Sequence, residues 1–552
     1  MYLPKEIVYS MLQKCGYEIS FDDVFLSSEC RITKYNRDLF KYVLNKISLD
    51  ASQMLHIGDN DYSDICVPNK LGIKTLQIPK TIDLFLSCNN TSLSSNFFYK
   101  CIKDNSRMIP DSSVMFLSMR CAHGISANKL FDMPFNQINS NIMNFNANPY
   151  AIGFSLMGPA LLGICHWLYE NASAKGYDCI HFIARDGYLV HKAFRLLQPH
   201  FGKYQPKIDY IRVSRKAIFP LMVLNKIDLC NLEIAINYLK QSPLSIMKLL
   251  RPILKSENCS YSFIKKKGFI PEKKFHSRKE YISFLCIIRD ELLDQNALNN
   301  YRAIMKKYFS SLIGSNDCFF DVGYSGRTES LLKALTGYNI DTFYLNTTTQ
   351  TGMDNARVND FKITTFFGNL PNLCGPIREL LLSEQGPSCI GFDIVGETVK
   401  PLFEEYKTEF SNDYIMKLYQ RGALDFIQAF VDAFGDGIQM MSFRDQDLSW
   451  PLEYFLMNAS PSDLSIFKNI EFEDDLFIGK KQNITDYWIQ NQNRPLDGFL
   501  AAYNSKGNIS KAITLYLYDR EHLKDVIKKR LAGHSLMYRV SKKVYHLAKA
   551  PK

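Results

Sequence analysis

Among its 14 cysteines this 552-residue chain has no CxxC pair, and no Cys/His group carries the spacing of a zinc site. That scatter excludes a disulfide framework of the secreted kind and fits free thiols in a reducing compartment, so the cytoplasm is the expected location. Met1 is followed by Tyr-Leu-Pro-Lys-Glu, which has neither the basic nor the apolar stretch of a secretory signal. Long uninterrupted apolar runs are also missing. The longest, Ala151 to Tyr169, is broken by Gly153, Gly158, Pro159, Gly163 and His166 and reads as a buried helix rather than a membrane span. No basic and aromatic block of the kind that binds nucleic acid is present, and there is no internal repeat. A formal charge of +10 over this length favours anionic ligands such as phosphates and gives no reason to expect a nucleic-acid partner.

With 46% apolar and 22% charged residues, the composition is globular, and the length suggests roughly three or four domains. From Met1 to about Lys80 helix and strand signals alternate. Pro4 opens a helix that Gly16 ends, Val24 to Leu26 reads as a short strand, Arg37 to Ile47 as a helix, and Met54 to Ile57 and Thr75 to Ile78 as strands flanking a helix that stops before Gly72. A stretch rich in Asn and Ser follows, and residues 86–148 read as a linker with some local structure. A second α/β unit begins near Pro149. Its expected strands are Cys179 to Ala184, Ile208 to Val213, Cys318 to Val322 and Thr342 to Leu345, with a helical insertion between the second and third. That insertion, residues 229–313, is a candidate hood or acceptor site.

In the first unit, Lys34 and the run His56-Ile57-Gly58-Asp59-Asn60-Asp61-Tyr62-Ser63-Asp64 place one lysine and several carboxylates at the carboxyl edge of a parallel sheet, where they can hold Mg²⁺ and a phosphate. Asp61 or Asp64 as a plain helix cap is the competing reading. With Ser27-Ser28 before it and Gly72-Ile73-Lys74-Thr75 after it, the segment resembles the C-terminal half of a haloacid dehalogenase (HAD) superfamily phosphatase. The resemblance implies that Lys34 is the third-motif lysine and that Asp59 and Asp64 are the Mg²⁺ carboxylates. The superfamily's DxDx(T/V) strand, whose first aspartate is the nucleophile, has no counterpart here. Since phosphoryl transfer through an aspartyl intermediate needs that nucleophile, the phosphatase half is expected to be inactive by itself.

In the second unit, the apolar strand Cys318-Phe319-Phe320-Asp321 runs into Val322-Gly323-Tyr324-Ser325-Gly326-Arg327-Thr328 and then a helix. Small residues at a strand-to-helix turn let backbone N–H groups and the hydroxyls of Ser325 and Thr328 surround a phosphate. A simply capped turn is the alternative. The segment resembles the loop of type I phosphoribosyltransferases that binds phosphoribosyl pyrophosphate. The resemblance implies that Asp321 holds ribose hydroxyls and that Gly323 to Thr328 cradle the 5-phosphate, while Phe320 replaces the family's first acid. Upstream, Ile183-Ala184-Arg185-Asp186-Gly187-Tyr188 occupies the place of the family's pyrophosphate loop, where Arg185 could receive the leaving diphosphate; Arg215 and Lys216 are two further cations that could face it, with solvated surface charge as the competing reading.

Together with Gly375-Pro376-Ile377-Arg378-Glu379-Leu380 and Gly386-Pro387-Ser388, these segments resemble bacterial polysaccharide-biosynthesis proteins that join a phosphatase-like half to a phosphoribosyltransferase-like domain. The implied chemistry is glycosyltransferase transfer of 5-phosphoribose to a glycan or lipid-linked glycan acceptor of a surface polysaccharide such as O antigen, followed by loss of the 5-phosphate to leave ribofuranose. A HAD-type hydrolase completed in trans, and a non-catalytic sugar-phosphate-binding scaffold, are the other readings. Glu379, Glu384 and Glu453 are candidate bases for the acceptor hydroxyl. The basic run Lys524, Lys528, Lys529, Arg530, Arg539, Lys542, Lys543, Lys549 and Lys552, interleaved with apolar residues, could lie on an anionic inner-membrane surface. The expected organisation is α/β throughout: a partial HAD-like parallel sheet (1–85), the linker (86–148), a phosphoribosyltransferase-like domain (149–368) and a mixed, mostly helical acceptor region with a basic tail (369–552).

Overall fold

The computed structural model describes residues 3–87, 113–131, 145–222, 241–255, 261–324, 326–347, 356, 360–367, 374–406, 410–473, 481–486 and 488. The chain divides into two compact units, Met1–Cys88 with Ala127–Ile138, and Asn89–Ser126 with Asn139–Lys552. The basic run from Glu521 to Lys552 lies outside the described residues.

In the first unit, helix α1 (Lys5–Lys14) starts behind Pro4 and ends before Gly16, whose φ of +84° reverses the chain. Helix α2 (Asp38–Ile47) leads to strands β1 (Leu55–Gly58) and β2 (Lys74–Gln77), which pair in parallel with Leu55 opposite Lys74 and Gly58 opposite Gln77. Between the strands, a π-helical turn Asp61–Cys66 and a short helix make the crossover. Val24 to Leu26 are not a strand. The backbone there is extended, but Val24 and Leu26 pack against Val8 under α1 with no ladder partner, which corrects the expectation drawn from β-branched composition.

Within the stretch expected to be a linker, Ser113–Leu130 forms an 18-residue helix, α3. The apolar run that follows in sequence is helix α4 (Pro149–Ser173), capped by the Asn148 side chain accepting the Ala151 N–H at 3.1 Å. Among the described residues α4 is the one helix long and apolar enough to cross a membrane, and 89% of its most apolar window is buried inside the protein. Its glycines explain why. A Cβ at Gly153 would lie 1.9 Å from the Tyr419 carbonyl oxygen, one at Gly158 2.4 Å from Phe426, and one at Gly163 2.3 Å from the Asp445 carbonyl oxygen. Two of the glycines that break the apolar run thus admit neighbouring backbone, and the third admits an aromatic side chain.

The centre of the second unit is a five-stranded, fully parallel sheet of β3 (Cys179–Ile183), β4 (Lys207–Ile211), β5 (Asp317–Asp321), β6 (Asp341–Tyr344) and β7 (Ile363–Thr365), in the order β4-β3-β5-β6-β7. β3 and β5 are buried along their whole length, as expected where helices cover both faces. Helix α5 (Tyr188–Phe201) follows β3 and packs Phe194 against Phe182 on one face. The other face is covered by the insertion: Ile246 and Leu250 of α6 (Pro243–Leu250), Tyr281, Phe284 and Leu285 of α7 (Arg278–Ile287), and Leu298, Met305 and Phe309 of α8 (Gln295–Leu312) join Ile183, Ile211 and Phe319 in one buried cluster. The described helices of the insertion are therefore a wall of the core. Their apolar faces are spent on the sheet.

Beyond β5 come α9 (Arg327–Thr336), α10 (Gly375–Leu382), the antiparallel hairpin β8 (Cys389–Val395) and β9 (Thr398–Phe403), and the 25-residue α11 (Phe410–Phe434). Gly422 of α11 meets Tyr150 of α4 as closely as Gly153 meets Tyr419, with a Cβ position 2.2 Å from the Tyr150 carbonyl oxygen.

Candidate functional site

From β3 the chain passes to one neighbour, β4, and then crosses to the other, β5. The strand order therefore switches between β3 and β5, and open parallel sheets bind ligands beyond the carboxyl ends of the strands at such a point. Both singled-out loops meet there. Ala184 to Gly187 joins β3 to α5, and Val322 to Gly326 joins β5 to α9.

The first loop is held by the segment after α10. The Ser383 hydroxyl donates to Asp186 Oδ1 at 2.7 Å, the Glu384 N–H donates to the Arg185 carbonyl at 3.0 Å, and Arg185 Nη1 donates to the Gly386 carbonyl at 3.0 Å. Gly187 starts α5 with its own N–H on the Ile183 carbonyl at 2.8 Å, and an added Cβ would stand 2.8 Å from that same oxygen. Arg185 and Arg215 remain exposed.

The second loop is braced by residues after β6. The Thr347 hydroxyl donates to the Tyr324 carbonyl at 2.8 Å, and Gly323, at φ +131°, would drive a Cβ to 2.3 Å from the Asn346 carbonyl oxygen. Gly326 takes the left-handed conformation at φ +66° that starts α9, beside Phe361. Its N–H meets the buried Tyr344 hydroxyl, which in turn donates to the buried Glu329 carboxyl. One of the amides expected to face a phosphate is thus used inside the protein. Thr328 is half-buried, whereas Ser325 and the side chain of Arg327 lie outside the described residues.

Acids gather between the loops. Asp321 is buried at the end of β5, and burial together with Asp186, Glu329 and Glu379 holds its carboxyl well above the usual range. Glu379, on α10, is raised to about 8 by burial and the Asp186 charge, against the pull of Arg215, Arg185 and the Tyr324 hydroxyl. Burial also raises Glu329, partly offset by Tyr344.

The three glutamates expected as bases separate clearly. Glu384 is held by Arg212 in two contacts, one of them 3.0 Å, and accepts from the Tyr210 hydroxyl at 3.1 Å. Glu453 is held by the buried Arg378, with Nε to Oε1 at 2.7 Å. Both are ion-paired supports. Glu379 is the one whose carboxyl is tuned toward neutrality beside both loops. Arg212, Glu329 and Tyr344 carried no signal in the sequence, because each acts through a partner distant along the chain.

In the first unit, Lys34 and the buried Asp64 do meet, and Asp64 also accepts from His56 Nε2 at 3.1 Å and the Asn60 N–H at 3.0 Å. Burial alone would raise Asp64, but Lys34, the Asn60 N–H and His56 outweigh it and bring it down to about 2. Asp59 pairs elsewhere, with Lys80 at 3.0 Å. The two carboxylates expected to share Mg²⁺ are each taken by a different lysine.

No family model matches the chain, and no curated protein matches it.

Proposed function

We propose that the second unit is a phosphoribosyltransferase-like glycosyltransferase that moves 5-phosphoribose from phosphoribosyl pyrophosphate to a hydroxyl of a surface-polysaccharide acceptor. The observation that carries this reading is the meeting, at the sheet's switch point, of two strand-to-helix loops with three carboxyls, Asp186, Asp321 and Glu379, and two exposed arginines, Arg185 and Arg215.

Such a set matches a substrate that brings both a diphosphate and a sugar cation. The arginines face the diphosphate, and their charge favours its departure. Asp321 meets the ribose hydroxyls and, once ionised, stabilises positive charge developing on the sugar ring. Glu379 takes the proton of the acceptor hydroxyl as that oxygen bonds to the sugar's anomeric carbon. Hard carboxylate oxygens that repel one another are also the donors that suit Mg²⁺. Asp186 and Asp321 would hold it, and when bound it would neutralise charge on the leaving diphosphate. The first unit, whose Asp59 and Asp64 pair with different lysines, is then a vestigial or incomplete phosphatase-like half.

Isothermal titration of the full chain with phosphoribosyl pyrophosphate and Mg²⁺ tests the reading. The parent should bind. Asp321→Asn should keep part of the phosphate affinity and lose transfer, because a lost hydrogen bond to a charged group costs on the order of 1.5–3 kcal/mol, about ten- to a hundredfold. A folded parent that shows no binding at millimolar ligand overturns the transferase and leaves a non-catalytic sugar-phosphate scaffold.

A further inference from the structure

At the opposite end of the same strands lies a cluster that the transferase reading does not use. Cys179 and His181 are two apart on β3 and so share a face of the sheet. The register sets Asp317 of β5 opposite Cys179 and Asp209 of β4 opposite His181, so three adjacent strands deliver four ligand-type side chains to one place. His181 Nε2 lies 2.7 Å from Asp317 Oδ2, Cys179 Sγ lies 3.8 Å from His181 Nδ1, and Asp209 Oδ2 lies 3.9 Å from the same Nδ1. One ligand atom each from Cys179, His181 and Asp317 falls within 4.8 Å of the others. His181 is fully buried, with the Phe319 ring stacked on it at 5.1 Å, while Asp209 is 29% exposed and forms the open side.

The Cys179 thiol is the partner of Nδ1, a contact that a bound cation would replace. Asp317 holds the imidazole at Nε2. Nδ1 faces the Cys179 sulfur and an Asp209 carboxylate oxygen. Two electron-rich groups facing a third across a gap of this size are stabilised by a cation between them. The two spacings from Nδ1 are close to two edges of a tetrahedral site with bonds of about 2.0–2.3 Å, which run roughly 3.3–3.8 Å. Asp317 on the far nitrogen is the carboxylate that orients a metal-ligating histidine.

We propose that Cys179, His181 and Asp209, with Asp317 behind the imidazole, form a binding site for a divalent ion of the zinc class. Sulfur, imidazole nitrogen and one carboxylate oxygen select zinc or cobalt over Mg²⁺. Binding replaces the thiol proton, which leaves to solvent, with a metal–sulfur bond. Because Cys179 and Asp317 begin the strands whose other ends carry the acids, the ion's task is to tie β4, β3 and β5 together rather than to touch substrate.

Cobalt titration of the chelator-stripped full chain tests this. A single equivalent should bind with the intense thiolate-to-cobalt charge-transfer absorption. Cys179→Ser should abolish that band. Asp317→Asn should keep it while weakening affinity about 10- to 100-fold. Zn²⁺ should displace cobalt and raise the thermal midpoint of the second unit. Should Cys179→Ser fail to fold, Asp209→Asn, at the open side, should still weaken cobalt binding. A parent chain without the band, a band that survives Cys179→Ser, or an affinity unchanged in Asp317→Asn overturns the proposal.

Discussion

In the proposed transfer Glu379 has to be ionised to accept a proton, yet burial and Asp186 keep it protonated up to about pH 8. Transfer should therefore accelerate as pH rises through that value and then level off. In Glu379→Gln the alkaline rise should vanish, with a rate loss of roughly a hundred- to ten-thousandfold, read from initial rates against pH. The same shift has a stability side. A carboxyl raised from 4.5 to about 8 on folding contributes stability that is complete below the unfolded value and lost as pH climbs through the folded one. Glu379→Gln should accordingly melt higher than the parent at about pH 9, and the gap should close in mildly acid buffer. A variant that loses activity but gains no stability at alkaline pH would mark Glu379 as an ordinary solvated group.

At the scale of elements, the contact between α4 and α11 has the sharpest steric test. Ala at Gly153 would place a methyl 1.9 Å from a backbone oxygen, which cannot move aside as a side-chain tip can. The expected loss is about 1–3 kcal/mol, the cost of overpacking, and Trp167 on the same helix reports it by fluorescence during denaturation. Gly124 of α3 is the control: nothing stands within 4 Å, and Ala there should be neutral or add up to about 1 kcal/mol through helix propensity. Much at this scale was legible in the sequence. The four strands β3 to β6 and the helical insertion announce themselves by period and by punctuation. β7 did not, because three residues, Ile-Thr-Thr, are too short to show a pattern. Both loops were legible because glycine and acid follow an apolar strand. The choice of Glu379 over Glu384 and Glu453 was not, since it depends on Arg212 and Arg378, which lie far off in sequence. Cys179-x-His181 was passed over for the same reason: its carboxylates sit on two other strands.

The whole molecule divides into units of unequal solidity. In the first, the sheet has two strands, and Leu55 and Ile57 of β1 are about half exposed, whereas parallel sheets are ordinarily covered on both faces. Amide hydrogen exchange should be fastest across β1 and β2 and slowest in β3 and β5, whose residues are buried throughout. Equal protection in the two sheets would show that β1 and β2 are covered in solution. The order β4-β3-β5 has a further effect during synthesis. β3 can pair with β4 soon after both leave the ribosome, but its other edge must wait for β5, roughly a hundred residues later. At about 5–20 residues per second that is a delay of some 5–20 s. Through that interval an apolar strand, Cys-Ile-His-Phe-Ile, offers an open edge to any neighbouring nascent chain. Translation slowed within the insertion would lengthen the exposure and a holdase chaperone would cover it, so the yield of folded protein should depend on growth temperature and chaperone supply more than on the stability of the finished sheet.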